Sequence, residues 1–391
     1  MVSYAGKLVL APMVRAGELP TRLLALKFGA DLVWSPEIID KKLIQCKRIE
    51  NKTLGTVDFV APGNQEHKPP SVVFRTFPEA EAGKLIFQMG SSTPQLAVQA
   101  AKVVINDVDG IDLNAGCPKH FSIHSGMGAA LLQTPDTLCS ILTSLVREVG
   151  EPNQKPISVK IRLLNDELRT VELVERLCST GISNLTVHCR TTPMRNRETP
   201  IRDYIPAIFK VCQEQNVSLI INGAFQGRSH FTQLRGQMGL SDKIGGMIAT
   251  CAEANPTIFS SSPLAWHDAV KSYFAIASQF DHNVNNCKYM LTRIVPGKSK
   301  FYQYFTRCKA MCEVEQVLKL IGDDGEPLGD PTDYLAKRRE QEKLDKKKAA
   351  DKKSQLLQQN KDTPVPSEKS TLELKRTLEQ VDGGDVKKIK S

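Results

Sequence analysis

The sequence predicts an α/β chain: a closed (β/α)8 TIM barrel, then a small all-α region and a basic tail. Three observations predict it. Eight short apolar runs recur over the first 260 residues, each ending in a polar or special residue. Amphipathic stretches lie between them, and alternating strand and helix units imply a parallel sheet that eight units can close. From Pro263 onward apolar residues recur only at helical spacing.

The runs are 7–12, 30–35, 84–88, 110–114, 157–160, 185–188, 218–222 and 246–249. Helical patterns occupy 19–28, 94–106, 136–149, 167–179, 204–215 and 229–235. In the second, Leu96, Val98, Ala101, Val104 and Ile105 form one apolar side. The third opens on Pro135-Asp136, a suitable helix entry. Two apolar segments, 43–60 and 72–77, fall outside the alternation and are expected to add a hairpin or small strand.

Residues 1–262 are therefore expected to form the barrel, and 263–322 a helical domain. Trp266, Val270, Tyr273, Phe274, Ile276, Ala277 and Phe280, then Tyr289, Met290, Ile294 and Val295, read as its core. Segments 301–312 and 314–321 continue the small helical bundle, and Cys308 and Cys312, four apart, suit one face of a helix better than a zinc knuckle. Lys271, Lys288, Arg293, Lys298, Lys300, Arg307 and Lys309 give this region a side that can face RNA. Residues 323–391 form a linker and a Lys-rich tail, with a charged helix expected near 334–358 and disorder beyond it. Lys346-Lys347-Lys348 and Lys387-Lys388-Ile389-Lys390 suit RNA contact or nuclear import, or a solubilising tail.

Net charge is +9, and from Lys337 onward 16 Lys and Arg face 10 Asp and Glu, so most of the excess is in the tail. Hydrophobic residues at 41% support a sizeable core. Ten cysteines without a CxxC pair suit free thiols in a reducing compartment, cytoplasmic or nuclear. No run approaches the ~18 apolar residues of a membrane span, and no metal-ligand spacing is present. A monomer is expected, with no membrane and no metal among its partners.

The strand ends carry the chemistry. In a barrel, Pro12-Met13, Glu37, Gln88, Asn114 with Cys117, Lys160 with Arg162, His188 with Arg190, Asn222-Gly223 and Ala249-Thr250 all face one C-terminal rim. Cys117 sits between a strand and the Gly-rich loop 125–130. Asn114 precedes it, Pro118 fixes the backbone after it, and Lys119 follows. That pattern aims a thiol. Asn222-Gly223-Ala224 and the 245–250 segment close the last two strands, where barrels often bind phosphate. Pro12, Met13 and Gln88 suit the face and edge of a planar heterocycle, and Lys160 suits negative charge developing on it. Together they specify flavin mononucleotide (FMN) better than a metal.

Ala11-Pro12-Met13, Asp112-Leu113-Asn114-Ala115-Gly116-Cys117-Pro118-Lys119, Val159-Lys160-Ile161-Arg162, Val187-His188-Cys189-Arg190 and Asn222-Gly223 occur here in the order of a known family. The chain from residue 4 to about 320 resembles the tRNA-dihydrouridine synthases. Residues 13–20, 45–48 and 56–62 are similar to the eukaryotic branch acting on uridine 20 of cytoplasmic tRNA, and 120–128 to its fungal form.

The resemblance implies that NADPH or NADH reduces bound FMN, that hydride passes to C6 of a flipped uracil, and that Cys117 protonates C5. It implies that Pro12, Met13, Gln88, Lys160 and His188 hold the flavin ring. Asn222, Gly223, Ala224, Ala249 and Thr250 would surround the phosphate, and Asn114 and Lys119 would position substrate. A general acid must carry its proton, so Cys117 is expected as a thiol that is not strongly acidified.

Two features depart from the family. Thr250 stands where an arginine usually follows Gly or Ala, so the phosphate must rely on backbone donors, Thr250 or another cation. Nothing after Gly322 has the αβββα order of the double-stranded-RNA-binding domain of animal relatives, so RNA contact is expected from the rim, the helices and the tail. Two other readings stay open: an FMN barrel reducing a free pyrimidine or enone, and a tRNA-binding protein without catalysis.

Overall fold

The computed structural model describes residues 2–63, 69–329 and 331–359. Residues 2–328, apart from those left undescribed, belong to one compact unit. All eight apolar runs are barrel strands: β1 Leu8–Leu10, β2 Leu32–Trp34, β3 Leu85–Gly90, β4 Gly110–Ala115, β5 Ile157–Leu163, β6 Asn184–Thr191, β7 Ser218–Asn222 and β8 Gly245–Ile248. Every neighbouring pair is parallel, and β2 pairs with β3 through Val33–Leu85 and Trp34–Ile86, which closes the ring. The strands are buried almost throughout because helices cover the outside and side chains fill the inside.

The six expected barrel helices form within a few residues of their expected bounds. Thr93 caps Pro94–Val104 by accepting from the Leu96 N–H, and Asp166 caps Glu167–Cys178 by accepting from Arg169. The odd apolar segments form more than a hairpin. Lys47–Asn51, Thr56–Ala61 and Ser71–Thr76 make a three-stranded antiparallel sheet. A further two-residue strand, Ile38–Ile39, pairs with the end of β3 at Met89 and Gly90.

Four helices follow the barrel: Trp266–Gln279, Val284–Ile294, Lys300–Arg307 and Met311–Leu318. The expected helix over 301–312 is broken. Cys308 leaves helical geometry at ψ 140°, and the Lys309 N–H donates to the Glu313 carboxylate at 2.6 Å, which starts a new helix. Cys308 is thus buried at a helix end and Cys312 is exposed on the next helix, not on a shared face. The turn-rich segment after Ile321 is tied back, with Gly322 N–H on the Glu326 carbonyl and Leu328 N–H on the Leu320 carbonyl. The charged helix runs over Pro331–Gln359 as a separate unit and carries Lys346–Lys348. The tail from 360 on, with Lys387-Lys388-Ile389-Lys390, lies outside the described residues. Among the described residues no helix is long and apolar enough to cross a membrane.

One charged pair anchors the barrel's first helix. Arg22 and Glu81 are each 1% exposed, with Nε to Oε1 at 2.6 Å. Arg22 also donates to the Gly17 and Arg75 carbonyls, and Glu81 accepts from Thr76 Oγ1 and the Phe77 N–H. Every polar group there is satisfied, so removing one partner strands a buried charge. Glu81→Ala is expected to lose about 3–5 kcal/mol of unfolding free energy, measured by urea denaturation.

Candidate active site

The strand register decides which side chains meet. Gln88 is level with Asp112, Asn114 with Lys160, and Arg162 with His188 and, through it, Asn222. Their ends open on a cavity of about 560 Å³. Pro12, Met13, Gln88, Asn114, Cys117, Lys119, Lys160, His188, Asn222, Gly223, Ala224, Ala249 and Thr250 all line it. The structure thus brings together every site residue expected from the sequence.

The floor is a polar layer. Asp112 is fully buried; its Oδ2 accepts from Gln88 Nε2 at 2.8 Å and its Oδ1 from Ser158 Oγ at 2.6 Å. The Gln88 N–H in turn donates to Ser35 Oγ at 2.9 Å. Gln88 is therefore locked before any ligand arrives.

Cys117 is gripped through its backbone. Asn114 Oδ1 accepts from the Gly116 N–H at 3.0 Å and the Cys117 N–H at 3.1 Å, and the Cys117 carbonyl accepts from Ala129 N–H at 2.9 Å. Arg162 Nε pins the Gly116 carbonyl at 3.0 Å. Gly128 has φ +59°, and a Cβ there would meet Ser122 Oγ at 2.4 Å and the Cys117 carbonyl at 2.7 Å. The Gly-rich loop lets the chain fold back against the thiol residue. Burial pushes the Cys117 thiol up, and the nearby Glu37 charge adds to this while Lys119 opposes it. The proton stays on sulfur, as the sequence led us to expect of an acid.

The strands beside Cys117 carry a cationic group. Burial, then neighbouring Arg162, pulls Lys160 down to about 8. Arg190 Nη1 lies 3.1 Å from His188 Nε2. A guanidinium only donates, so Nε2 must accept and the imidazole is neutral with its proton on Nδ1. Burial, Lys160, Arg162 and Arg190 all disfavour a second proton, and His188 falls to about 2.

At the far end, Asn222 Nδ2 donates to the Met247 carbonyl at 2.8 Å. Gly223 and Ala224 have φ of +139° and +57°, so the backbone turns sharply beneath the cavity. Thr250 opens the short helix Thr250–Ala254. Among the described residues no group of three or more His, Cys, Asp or Glu could hold a metal.

Three lining residues were read differently from sequence. Glu37 was placed at a strand end without a role. Arg162 was seen only as a neighbour of Lys160. Tyr289 was assigned to the helical core, but it lines the cavity, donates a short hydrogen bond to Glu253, and lies under the Arg15 guanidinium at 4.4 Å. No period in the sequence marks a side chain reaching from one region to another.

The family model described as dihydrouridine synthase (Dus) matches residues 9–346. A Saccharomyces cerevisiae protein named tRNA-dihydrouridine(20) synthase [NAD(P)+] is 62% identical over 88% of this chain and 91% of its own length. A Schizosaccharomyces pombe protein of the same name is 48% identical over 76% of this chain, which spans 61% of that protein. A second S. cerevisiae protein, named tRNA-dihydrouridine(20a/20b) synthase [NAD(P)+], is 29% identical over 55% of this chain and 52% of its own length.

The neutral imidazole has a measurable consequence. Unfolded, His188 titrates near 6.5; folded, it refuses the proton down to about 2. Above pH 6.5 both states are neutral and this residue adds no slope. As pH falls through 6.5 only the unfolded state gains the proton, so stability drops, by at most ~1.4 kcal/mol per pH unit. The stability difference between wild type and His188→Gln is expected to be flat above pH 7.5 and to shift against wild type from pH 6.5 to 4, read from urea midpoints.

Proposed function

The chain belongs to the dihydrouridine synthase family, and on that premise we propose that it is an FMN-containing tRNA-dihydrouridine(20) synthase using NAD(P)H. The observation that carries the mechanism is the placement of Cys117, its backbone N–H held by Asn114, on the lining of a cavity that Lys160, Arg162 and Arg190 also line. Position 20 follows from the 62% identity to a protein named for that position, against 29% to one named for 20a and 20b.

The residues fit a flavin. Pro12 and Met13 offer a flat apolar face. Gln88, Lys160 and neutral His188 offer donors to an acceptor-rich ring edge, and the cavity is of the size that holds a bound small molecule. Asn222, Gly223, Ala224, Ala249 and Thr250 would surround the phosphate. When bound, FMN supplies hydride drawn from the nicotinamide nucleotide.

Reducing the 5,6 double bond of uracil needs hydride at C6 and a proton at C5. Cys117 supplies the proton: its S–H bond breaks, the C5–H bond forms, and sulfur is left as thiolate. Lys119, Lys160 and Arg162 stand near that sulfur and stabilise the charge. Asn114 and Lys119 position the base. A base paired and stacked in RNA cannot enter such a cavity, so uridine 20 must leave the stack. Basic side chains of the helical region, including exposed Lys298 in a loop and Lys300 at a helix start, contact tRNA phosphates.

Purified protein with FMN, NADPH and tRNA is expected to yield dihydrouridine at position 20, mapped by mass spectrometry. Cys117→Ala is expected to lose about 10²–10⁴-fold in rate. Bound flavin with product only from a free pyrimidine or enone would support the small-molecule reading instead. tRNA binding without flavin would support the binding-only reading.

A further inference from the structure

Glu37 lines the reaction cavity beside Asn114 and Cys117. It lies immediately before the two-residue strand Ile38–Ile39, whose pairing with Met89 and Gly90 fixes it beside the end of β3. Its Oε1 is out of solvent's reach and has no hydrogen-bond partner among the described residues. The space is built for that oxygen: a Cβ on Gly90 would stand 2.6 Å from it. On the other side is Asn114, whose Oδ1 is committed to the Gly116 and Cys117 N–H groups, so its amide NH2 faces the Glu37 carboxylate.

We propose that Glu37 is a positioning residue for the proton donor: it orients the Asn114 amide that grips Cys117, and its negative charge holds the Cys117 side chain as a thiol. The inference rests on the reading of Cys117 as the acid. A buried acceptor left half-satisfied costs stability, which the fold has no structural reason to bear at this place. The charge has a job there. Lys119 on the same loop and Lys160 and Arg162 on β5 all favour thiolate. Burial raises the Glu37 carboxyl itself, while the Asn114 amide and Lys119 favour its charged form, and in that form it acts with burial of the thiol against those cations. Without it, burial alone would oppose the three cations, and the thiolate fraction, which cannot protonate C5, would grow.

The test reads the thiol directly. Alkylation of Cys117 by iodoacetamide is followed against pH, with the Cys117 peptide quantified by mass spectrometry. Glu37→Gln keeps an acceptor for Asn114 and removes the charge. Its alkylation midpoint is expected about one pH unit below wild type, with roughly tenfold faster alkylation near pH 7. Glu37→Asp keeps the charge and is expected to stay near wild type. Gly90→Ala displaces the carboxylate from outside and is expected to follow Glu37→Gln. In single-turnover dihydrouridine formation, the alkaline limb of Glu37→Gln is expected to move down by the same amount. An unchanged midpoint in both Glu37→Gln and Gly90→Ala would overturn the proposal. Full activity in Cys117→Ala would instead overturn the reading of the acid, whatever the alkylation result.

Discussion

The site depends on a single closure. Val33–Leu85 and Trp34–Ile86 join β2 to β3 and turn an eight-stranded sheet into a ring. In a closed parallel ring every strand ends at the same face, so residues as distant in sequence as Met13, Cys117 and Thr250 line one cavity. Register then sets depth. Gln88 and Asp112 share the lowest layer, Asn114 and Lys160 the next, Arg162, His188 and Asn222 the rim. A slip of one residue in β4 would turn Asp112 and Asn114 out of the barrel and lose both the locked Gln88 and the grip on Cys117.

Electrostatics divide the cavity into two jobs. Lys160, Arg162 and Arg190 crowd together, each made less willing to hold its proton by burial and by its neighbours. Such a cluster costs stability and is useful where negative charge arrives or develops. His188 stands among them as a neutral donor, because Arg190 occupies its Nε2. In the proposed mechanism the thiol beside them must stay protonated within reach of the same field. Burial of Cys117 and the Glu37 carboxylate act against the cations there.

The barrel was legible because it rests on local signals. Apolar runs of strand length, helical periods and capping residues each announce themselves within about ten positions. The lining was legible for the same reason, since the last residue of each run is fixed in space by the barrel. What escaped were features whose cause is not local. The pairing of Ile38–Ile39 with β3 is a two-residue event with no period. Glu37 has meaning only once Asn114 and Gly90 stand beside it. The break at Cys308 carries no Pro or Gly and arises from Glu313 reaching back to the Lys309 N–H. Tyr289 obeys the helical apolar pattern and still turns toward the cavity, because Glu253 takes its hydroxyl.

The helical region is joined to the barrel by polar contacts aimed at the rim, as well as by packing. Leu19, Leu23 and Phe280 form an apolar patch, and around it Asn286 Nδ2 donates to Glu18 at 2.7 Å and Arg75 donates to the Phe280 carbonyl at 2.5 Å. Arg15 bonds Asn286 and stacks over Tyr289, while Glu253 takes Tyr289 and Arg293 together. Apolar contact alone would tolerate sliding; directional hydrogen bonds from several elements do not. Arg15 accepts a left-handed backbone, φ +68°, to reach its place, a conformation that costs a non-glycine residue energy. Strain accepted at the seam between two regions is recovered when the seam must hold one geometry. In the proposed function the helices meet a large, folded RNA and the barrel holds the thiol, so the angle at which a base enters the cavity is set by how firmly the two regions are fixed to each other.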